Sequence, residues 1–175
     1  MDLHAYAEPK DVNELVTSTR VLVIDDDYFM RKVVRSLLLA VGIKDVHEVA
    51  NGVDGLEAIP NINPDVVILD WEMPHLTGGE FMRIVRSPKH FSKPQLPVIM
   101  LTAHVTRDRV VEAIRLGVNE FLSKPVSAKL LQQRIMSVRA NPRPMVQIGD
   151  YYGPEPRKVK SNSRNWVDPF EPVWL

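Results

Sequence analysis

Acidic side chains stand where two apolar runs break off: Asp25, Asp26 and Asp27 follow Val21 to Ile24, and Asp70 ends Asp65-Val-Val-Ile-Leu-Asp70. Thr102 follows a third run, Pro97 to Leu101, and Lys124-Pro125 lies just past a fourth, Val118 to Leu122. Carboxylates crowded into one crevice must either raise their pKa values or hold a cation. An all-oxygen ligand set with room for water suits Mg²⁺, with Mn²⁺ as a substitute, rather than zinc or copper. A lysine and a threonine hydroxyl facing that ion supply what a phosphoryl group needs, charge neutralisation and a hydrogen-bond donor. A carboxylate can then serve as the nucleophile and become an aspartyl phosphate. Each residue alone has a plainer reading. Asp25 or Asp26 could cap a helix, Asp70 could belong to a turn, Thr102 could be a cap, and Lys124 could be a surface lysine. Capping needs only one acid, and three are present.

The elements that must bring these residues together alternate strictly from Arg20 to Ala140. Val21 to Ile24 predicts a fully buried strand. Phe29, Met30, Val33, Val34, Leu37, Leu38 and Val41 recur at helical spacing, with Gly42 as a stop. Val46 to Ala50 is a weaker strand. Asn51-Gly52 turns the chain into a short helix through Leu56 and Ile59, which Pro60 is expected to end early. The run before Asp70 is the clearest buried strand, and Phe81, Ile84 and Val85 mark the next helix. Pro97 opens the fourth strand at the position where proline is tolerated. Val110, Val111, Ile114 and Leu116 form a helix closed by Gly117, Val118 to Leu122 a fifth strand, and Leu130, Leu131, Ile135, Met136 and Val138 the last helix. Five strand–helix units predict an α/β fold: a doubly wound parallel sheet with helices on both faces and right-handed crossovers. Ligands of such sheets bind beyond the carboxyl ends of the strands, where all the candidate residues fall.

Composition limits the alternatives. The chain has 175 residues, 22 basic and 22 acidic, so bulk attraction to nucleic acid or an anionic membrane is not expected. There is no cysteine, which excludes disulfides and thiolate chemistry. No apolar run approaches a membrane span and the N-terminus lacks the pattern of a signal peptide, so a cytoplasmic location is expected. Residues 1–19 are expected to be an arm, with a short helix around Val12 to Val16 as the alternative. Residues 141–175 are expected to be a tail without a second domain, extended or disordered in isolation. That tail carries Tyr151, Tyr152, Trp166, Phe170 and Trp174. Two readings of it stay open: an inert extension lying on the surface, and a linear motif that docks on a partner or a second copy. His75, His90 and His104 show no metal-ligand spacing. Arg107, Arg109 and Arg115 alternate with Asp108 and Glu112, which predicts a solvated face rather than a nucleic-acid patch.

From Arg20 to Ala140 the chain resembles the receiver domain of two-component response regulators, of the stand-alone, chemotaxis-regulator type. The resemblance rests on VLVIDD, VVILDWEMPHLTGG, VIMLTA and FLSKP, in that order and each at the end of its predicted strand. It implies a five-stranded sheet in the flavodoxin-like order 2-1-3-4-5. It implies Asp70 as phosphoacceptor, Asp26 as a direct Mg²⁺ ligand, Asp25 as a ligand mainly through water, and the backbone carbonyl of Glu72 as a further ligand. Thr102 would bond a phosphoryl oxygen and Lys124 would pair with it, with Lys124-Pro125 in cis. Thr102 and Phe121 would form the switch, Phe121 swinging into space that Thr102 vacates. Phe121 lacks the hydroxyl of the commoner tyrosine, so packing alone would drive it. Asp27 is an acid beyond the usual pair, and Glu72 and His104 fall where the family tunes the lifetime of the phosphoryl group. The implied donor is a sensor histidine kinase or a histidine phosphotransfer protein. Output would pass to a protein partner through residues 106–139 and, on the docking reading, the tail, the chain being a monomer or weak homodimer. About 35 residues remain after Ala140, too few for a DNA-binding domain, so direct nucleic-acid output is not expected.

Two other functions compete. A phosphatase of the haloacid dehalogenase type would open with an apolar strand and Asp-x-Asp, which Asp25 and Asp27 satisfy. Phe29 then stands where that pattern wants threonine or valine, and Asp70 is left without a role. A degenerate receiver would act only as a binding module, and the full set of Asp25, Asp26, Asp70, Thr102 and Lys124 argues against it. The protein is therefore expected to be a phosphoacceptor and not an enzyme with turnover.

Overall fold

The computed structural model describes residues 12–157 of the chain. Its order is α1 (Val12–Thr17), β1 (Arg20–Ile24), α2 (Tyr28–Ala40), β2 (Asp45–Val49), α3 (Gly52–Ile62), β3 (Val66–Asp70), α4 (Gly78–Val85), β4 (Val98–Thr102), α5 (Arg107–Arg115), β5 (Glu120–Ser123), α6 (Ala128–Ala140), β6 (Met145–Ile148) and β7 (Tyr151–Pro154). β1 to β5 form one parallel sheet in the order β2-β1-β3-β4-β5. Strand order reverses between β1 and β3, which opens the crevice characteristic of doubly wound sheets. No helix among the described residues is long and apolar enough to cross a membrane.

The period-2 alternation of strand side chains divides the core in two. Val21, Val23, Val66, Ile68, Ile99 and Leu101 face α1, α2 and α6, packing on Val16, Val34, Leu38, Leu131 and Ile135. Leu22, Ile24, Val67, Leu69, Val98 and Met100 face α3, α4 and α5, packing on Ile59, Phe81, Met82, Val85 and Ala113. The central strands are apolar on both faces because both are covered. β3 and β4 are buried at every residue.

Several local expectations need correcting. α3 runs past Pro60 to Ile62, because a proline in the last turn removes only one late ladder bond. Asn63, left-handed at φ 53°, then closes it with a bond to Ile59 O. The apolar stripe on α2 is wider than the face it buries: Val34 and Leu38 are buried, whereas Phe29 is 77% exposed. The strand expected over Val118–Leu122 occupies Glu120–Ser123, with Val118 buried in the approach to it.

The largest correction lies after α6. Residues 145–154, part of the 141–175 tail expected to be extended or disordered in isolation, form an antiparallel hairpin with Ile148 opposite Tyr151. Its loop is Gly149-Asp150, and Gly149 takes φ 56°, the positive value that a two-residue hairpin turn demands at its first position. The hairpin docks on the amino-terminal end of β5: Arg143 Nη2 donates to Asn119 O at 2.6 Å, and Arg157 pairs with the buried Glu120. Tyr151 is buried, its hydroxyl donating to Pro154 O at 2.7 Å. The arm before Val12, and Trp166, Phe170 and Trp174 of the tail, lie outside the described residues.

Candidate functional site

β1 ends because the next three residues turn the chain off the sheet, and each acid has a separate task there. Asp25 is buried, and its Oδ1 accepts the backbone N–H of Asp27 at 2.9 Å. Asp27 caps α2, with Oδ1 accepting from Phe29 N at 2.8 Å and Met30 N at 3.3 Å. Asp26 stands exposed at the rim. The capping role therefore belongs to Asp27, and Asp25 and Asp26 remain available for other chemistry. Asp27 was also the second acid that a haloacid dehalogenase reading requires, and the cap occupies it.

β3 delivers Asp70 to the same edge, where it is 6% exposed. A short turn then leads into α4, which is fixed by a reciprocal capping box between Thr77 and Glu80. A side chain at Gly78 would place its Cβ 2.6 Å from the Asp70 carbonyl oxygen. Only glycine lets the helix start so close to the acid.

Asp25, Asp26 and Asp70 each present a carboxylate oxygen, and these three atoms lie within 4.8 Å of one another. Lys124 reaches in from beyond β5, its Nζ donating to Asp25 Oδ2 and to Asp70 Oδ1 at 2.8 Å each. Its side chain is 16% exposed, so it is no surface lysine, and the bond to Pro125 is cis as expected. Burial pulls the ammonium pKa down, but the bonds to Asp25 and Asp70 outweigh it and the net shift is upward. Burial pushes the Asp70 carboxyl up to about 6, with the charges of Asp25 and Asp26 adding to the rise and Lys124 opposing it. One ammonium against three carboxylates leaves an excess of negative charge inside the span of a single ion. Such an all-oxygen set fits a hard divalent cation.

Thr102 ends β4 fully buried. Its Oγ1 accepts His104 N at 3.1 Å and donates to His104 O at 3.2 Å. The cap of α5 is Thr106, not Thr102. Phe121, half-buried on β5, sits edge-on to Trp71 with ring centroids 6.2 Å apart. The Glu72 side chain turns to His104 Nδ1 at 3.5 Å and Arg109 Nη2 at 3.4 Å, both through Oε1.

Arg109 is the site neighbour that sequence reasoning missed. Its guanidinium carbon lies 4.7 Å from the Trp71 ring centroid, over the ring face. Alternating charge on α5 suggested solvation, and nothing in the spacing reveals that position 109 comes down on the residue after Asp70. Arg31 also closes the edge, donating from Nη1 to Asp25 O at 2.7 Å.

Comparison with known families matches residues 21–136 to the response regulator receiver domain. Over 119 residues the chain is 34% identical to the chemotaxis protein CheY of Pseudomonas aeruginosa, covering 68% of this chain and 94% of that protein. It is 32% identical over 117 residues to CheY1 of Helicobacter pylori, covering 66% and 93%. Among solved structures it is similar to the chemotaxis protein CheY4 of Vibrio cholerae, with a TM-score of 0.62 and 29% identity, covering 69% of this chain and 98% of that one. The receiver domain of the Francisella response regulator 1452 gives a TM-score of 0.61 at 30% identity, covering 67% and 93%. The family match ends within α6, so β6 and β7 lie beyond it.

Proposed function

The chain belongs to the response regulator receiver family, and from that premise we propose that Asp70 is its phosphoacceptor. The donor is a phosphohistidine on a sensor histidine kinase or a histidine phosphotransfer protein. The phosphorus–nitrogen bond breaks as an Asp70 carboxylate oxygen bonds to phosphorus, and the electron pair leaves with the imidazole nitrogen. Asp25, Asp26, Asp70 and the backbone carbonyl of Glu72 hold Mg²⁺, or Mn²⁺ in its place. The ion supplies charge neutralisation for the phosphoryl oxygens.

The residues of the chain do the remaining work. Lys124 gives up part of its pairing with Asp70 to hold a phosphoryl oxygen. Thr102 exchanges its bonds to His104 for one to another phosphoryl oxygen, and Phe121 follows into the space left behind. Residues 106–139 then meet a downstream protein in an altered shape. The protein acts in the cytoplasm as a signalling component, with no turnover of a general phosphatase substrate.

The observation that carries this reading is the position of Lys124 Nζ, 2.8 Å from both Asp25 and Asp70 and beside three clustered carboxylates. Intact-mass measurement after incubation with acetyl phosphate and Mg²⁺ tests it. A gain of one phosphoryl group that is absent from Asp70→Asn is expected. No gain in the parent protein, or the same gain in the variant, overturns it.

A further inference from the structure

We propose that Arg109 is a positioning residue which closes the mouth of the phosphoacceptor site and sets how long a phosphoryl group survives on Asp70. The inference rests on Asp70 being the phosphoacceptor and adds a residue on a separate element, α5, that controls the outcome. Two contacts carry it. The guanidinium lies over the face of Trp71, the residue next to Asp70. The same group, through Nη2, meets Glu72 Oε1, the next residue again, at 3.4 Å. Arg109 therefore grips the first two residues of the loop that leaves β3, a loop whose first amide is already pinned to Leu101 O at 3.0 Å.

The consequence is steric. Trp71 is only 4% exposed although it sits on a loop at the edge of the sheet. One face of its indole is covered by Arg109, and its edge packs on Phe121. Glu72 is shared between Arg109 and His104 Nδ1, and the His104 backbone holds the Thr102 hydroxyl. These contacts link side chains from the ends of β3, β4, β5 and α5 beside Asp70, with Arg109 joining Trp71 to Glu72 and Glu72 passing the link to His104. A planar, delocalised cation can stack and pair at once, which an ammonium cannot do equally well.

Loss of the phosphoryl group is a hydrolysis. A water oxygen bonds to phosphorus as the bond from phosphorus to the Asp70 oxygen breaks, and the protons of water pass to the released phosphate and solvent. Water must approach from the side opposite Asp70, and on this proposal the linked side chains stand in its path. Loosening them admits water more often.

The test uses the full chain with Trp166→Phe and Trp174→Phe, so that Trp71 is the remaining tryptophan. Protein labelled with acetyl phosphate and Mg²⁺ is freed of donor and its phosphoryl content followed by intact mass. Arg109→Ala should decay roughly threefold to tenfold faster, the range set by losing one partly buried cation–π contact and one partly exposed ion pair. Arg109→Lys, which keeps the charge but not the plane, should fall between the two. In unlabelled protein, acrylamide should quench Trp71 more readily in Arg109→Ala, a readout that needs neither metal nor phosphate. Glu72→Gln combined with Arg109→Ala should decay no faster than the faster single variant, as expected if Arg109 acts through that loop. Decay of Arg109→Ala at the parent rate, additive effects in the double variant, or unchanged quenching overturns the inference. A parent protein that takes no phosphoryl group on Asp70 instead overturns the phosphoacceptor reading and takes this one with it, so the two failures are distinct.

Discussion

Asp70 is held as a buried carboxylate at a cost to the folded chain. Its ordinary carboxyl value of 3.8 is pushed up to about 6, first by burial and then by its acidic neighbours. Between those two pH values the folded protein holds a proton that the unfolded chain has released, so stability falls as pH rises through that window and levels off above it. Without metal, Asp70→Asn should therefore gain on the order of 2 kcal/mol at pH 7.5 and almost nothing near pH 4. Urea unfolding at the two pH values checks this, and equal gains at both would contradict it. Lys124 works in the opposite sense. Lys124→Met should cost about 3 kcal/mol, because it strands two buried carboxylates, and should drive the Asp70 carboxyl further upward. Carbon-detected NMR titration of the Asp70 side chain reads that shift. These residues were legible in the sequence because each acid, hydroxyl or amine falls just after an apolar run, where a parallel sheet presents its ligands. The division of labour was not. Asp27 as the cap and Asp25 as the lysine partner depend on backbone direction after Ile24, and Arg109 depends on the rotation of α5.

Elements are held in place by one residue that no motif announced. Arg86, at the end of α4, is buried and donates to four acceptors: Gly117 O at 2.9 Å, Pro94 O at 2.6 Å, Leu96 O at 2.8 Å and Asn119 Oδ1 at 2.8 Å. Burial brings its pKa down to about 10, which leaves it cationic at neutral pH. It fastens the 87–97 connection and the approach to β5 at the sheet edge remote from Asp70. Arg86→Met should destabilise by about 3 kcal/mol or more, since it leaves several buried acceptors unpaired. A denaturant midpoint shift with unchanged slope is the expected reading, and a loss below about 1 kcal/mol would show the acceptors finding water instead. Strand and helix order was readable from periodicity because the sheet is buried on both faces. The hairpin was readable too, in principle. Gly149-Asp150 between Met145-Val-Gln-Ile148 and Tyr151-Tyr152 is a two-residue hairpin signal. Short runs and two prolines hid it, Pro144 just before β6 and Pro154 as the last residue of β7, since proline is tolerated at strand ends where it gives up no ladder bond.

At the scale of the molecule, the receiver body and the segment after α6 are joined by specific bonds rather than loose contact. Arg143 bridges Asn119 O and Glu155 O, and Arg157 meets Glu120, which Arg134 and Ser137 also contact. The neighbouring residue on β5 is Phe121, so the extension is anchored one position from the proposed switch. Truncation after Ala140 should leave phosphorylation by acetyl phosphate intact. It should also lower stability by about 2 kcal/mol, because Asn119 O loses Arg143 and the buried Glu120 loses Arg157. Thermal unfolding of the truncated and full chains gives the difference. Equal stability would mean that the hairpin rests on the body without holding it.

For this chain to act as a receiver, a divalent ion and a phosphoryl group must meet at Asp70. A crystal structure of the full chain grown with Mg²⁺ and beryllofluoride examines this directly. It should show the ion among Asp25, Asp26 and Asp70, the fluoride adduct on an Asp70 oxygen, and Lys124 Nζ within about 3 Å of a fluorine. An adduct on another residue, or an acid cluster still empty under those conditions, would contradict it.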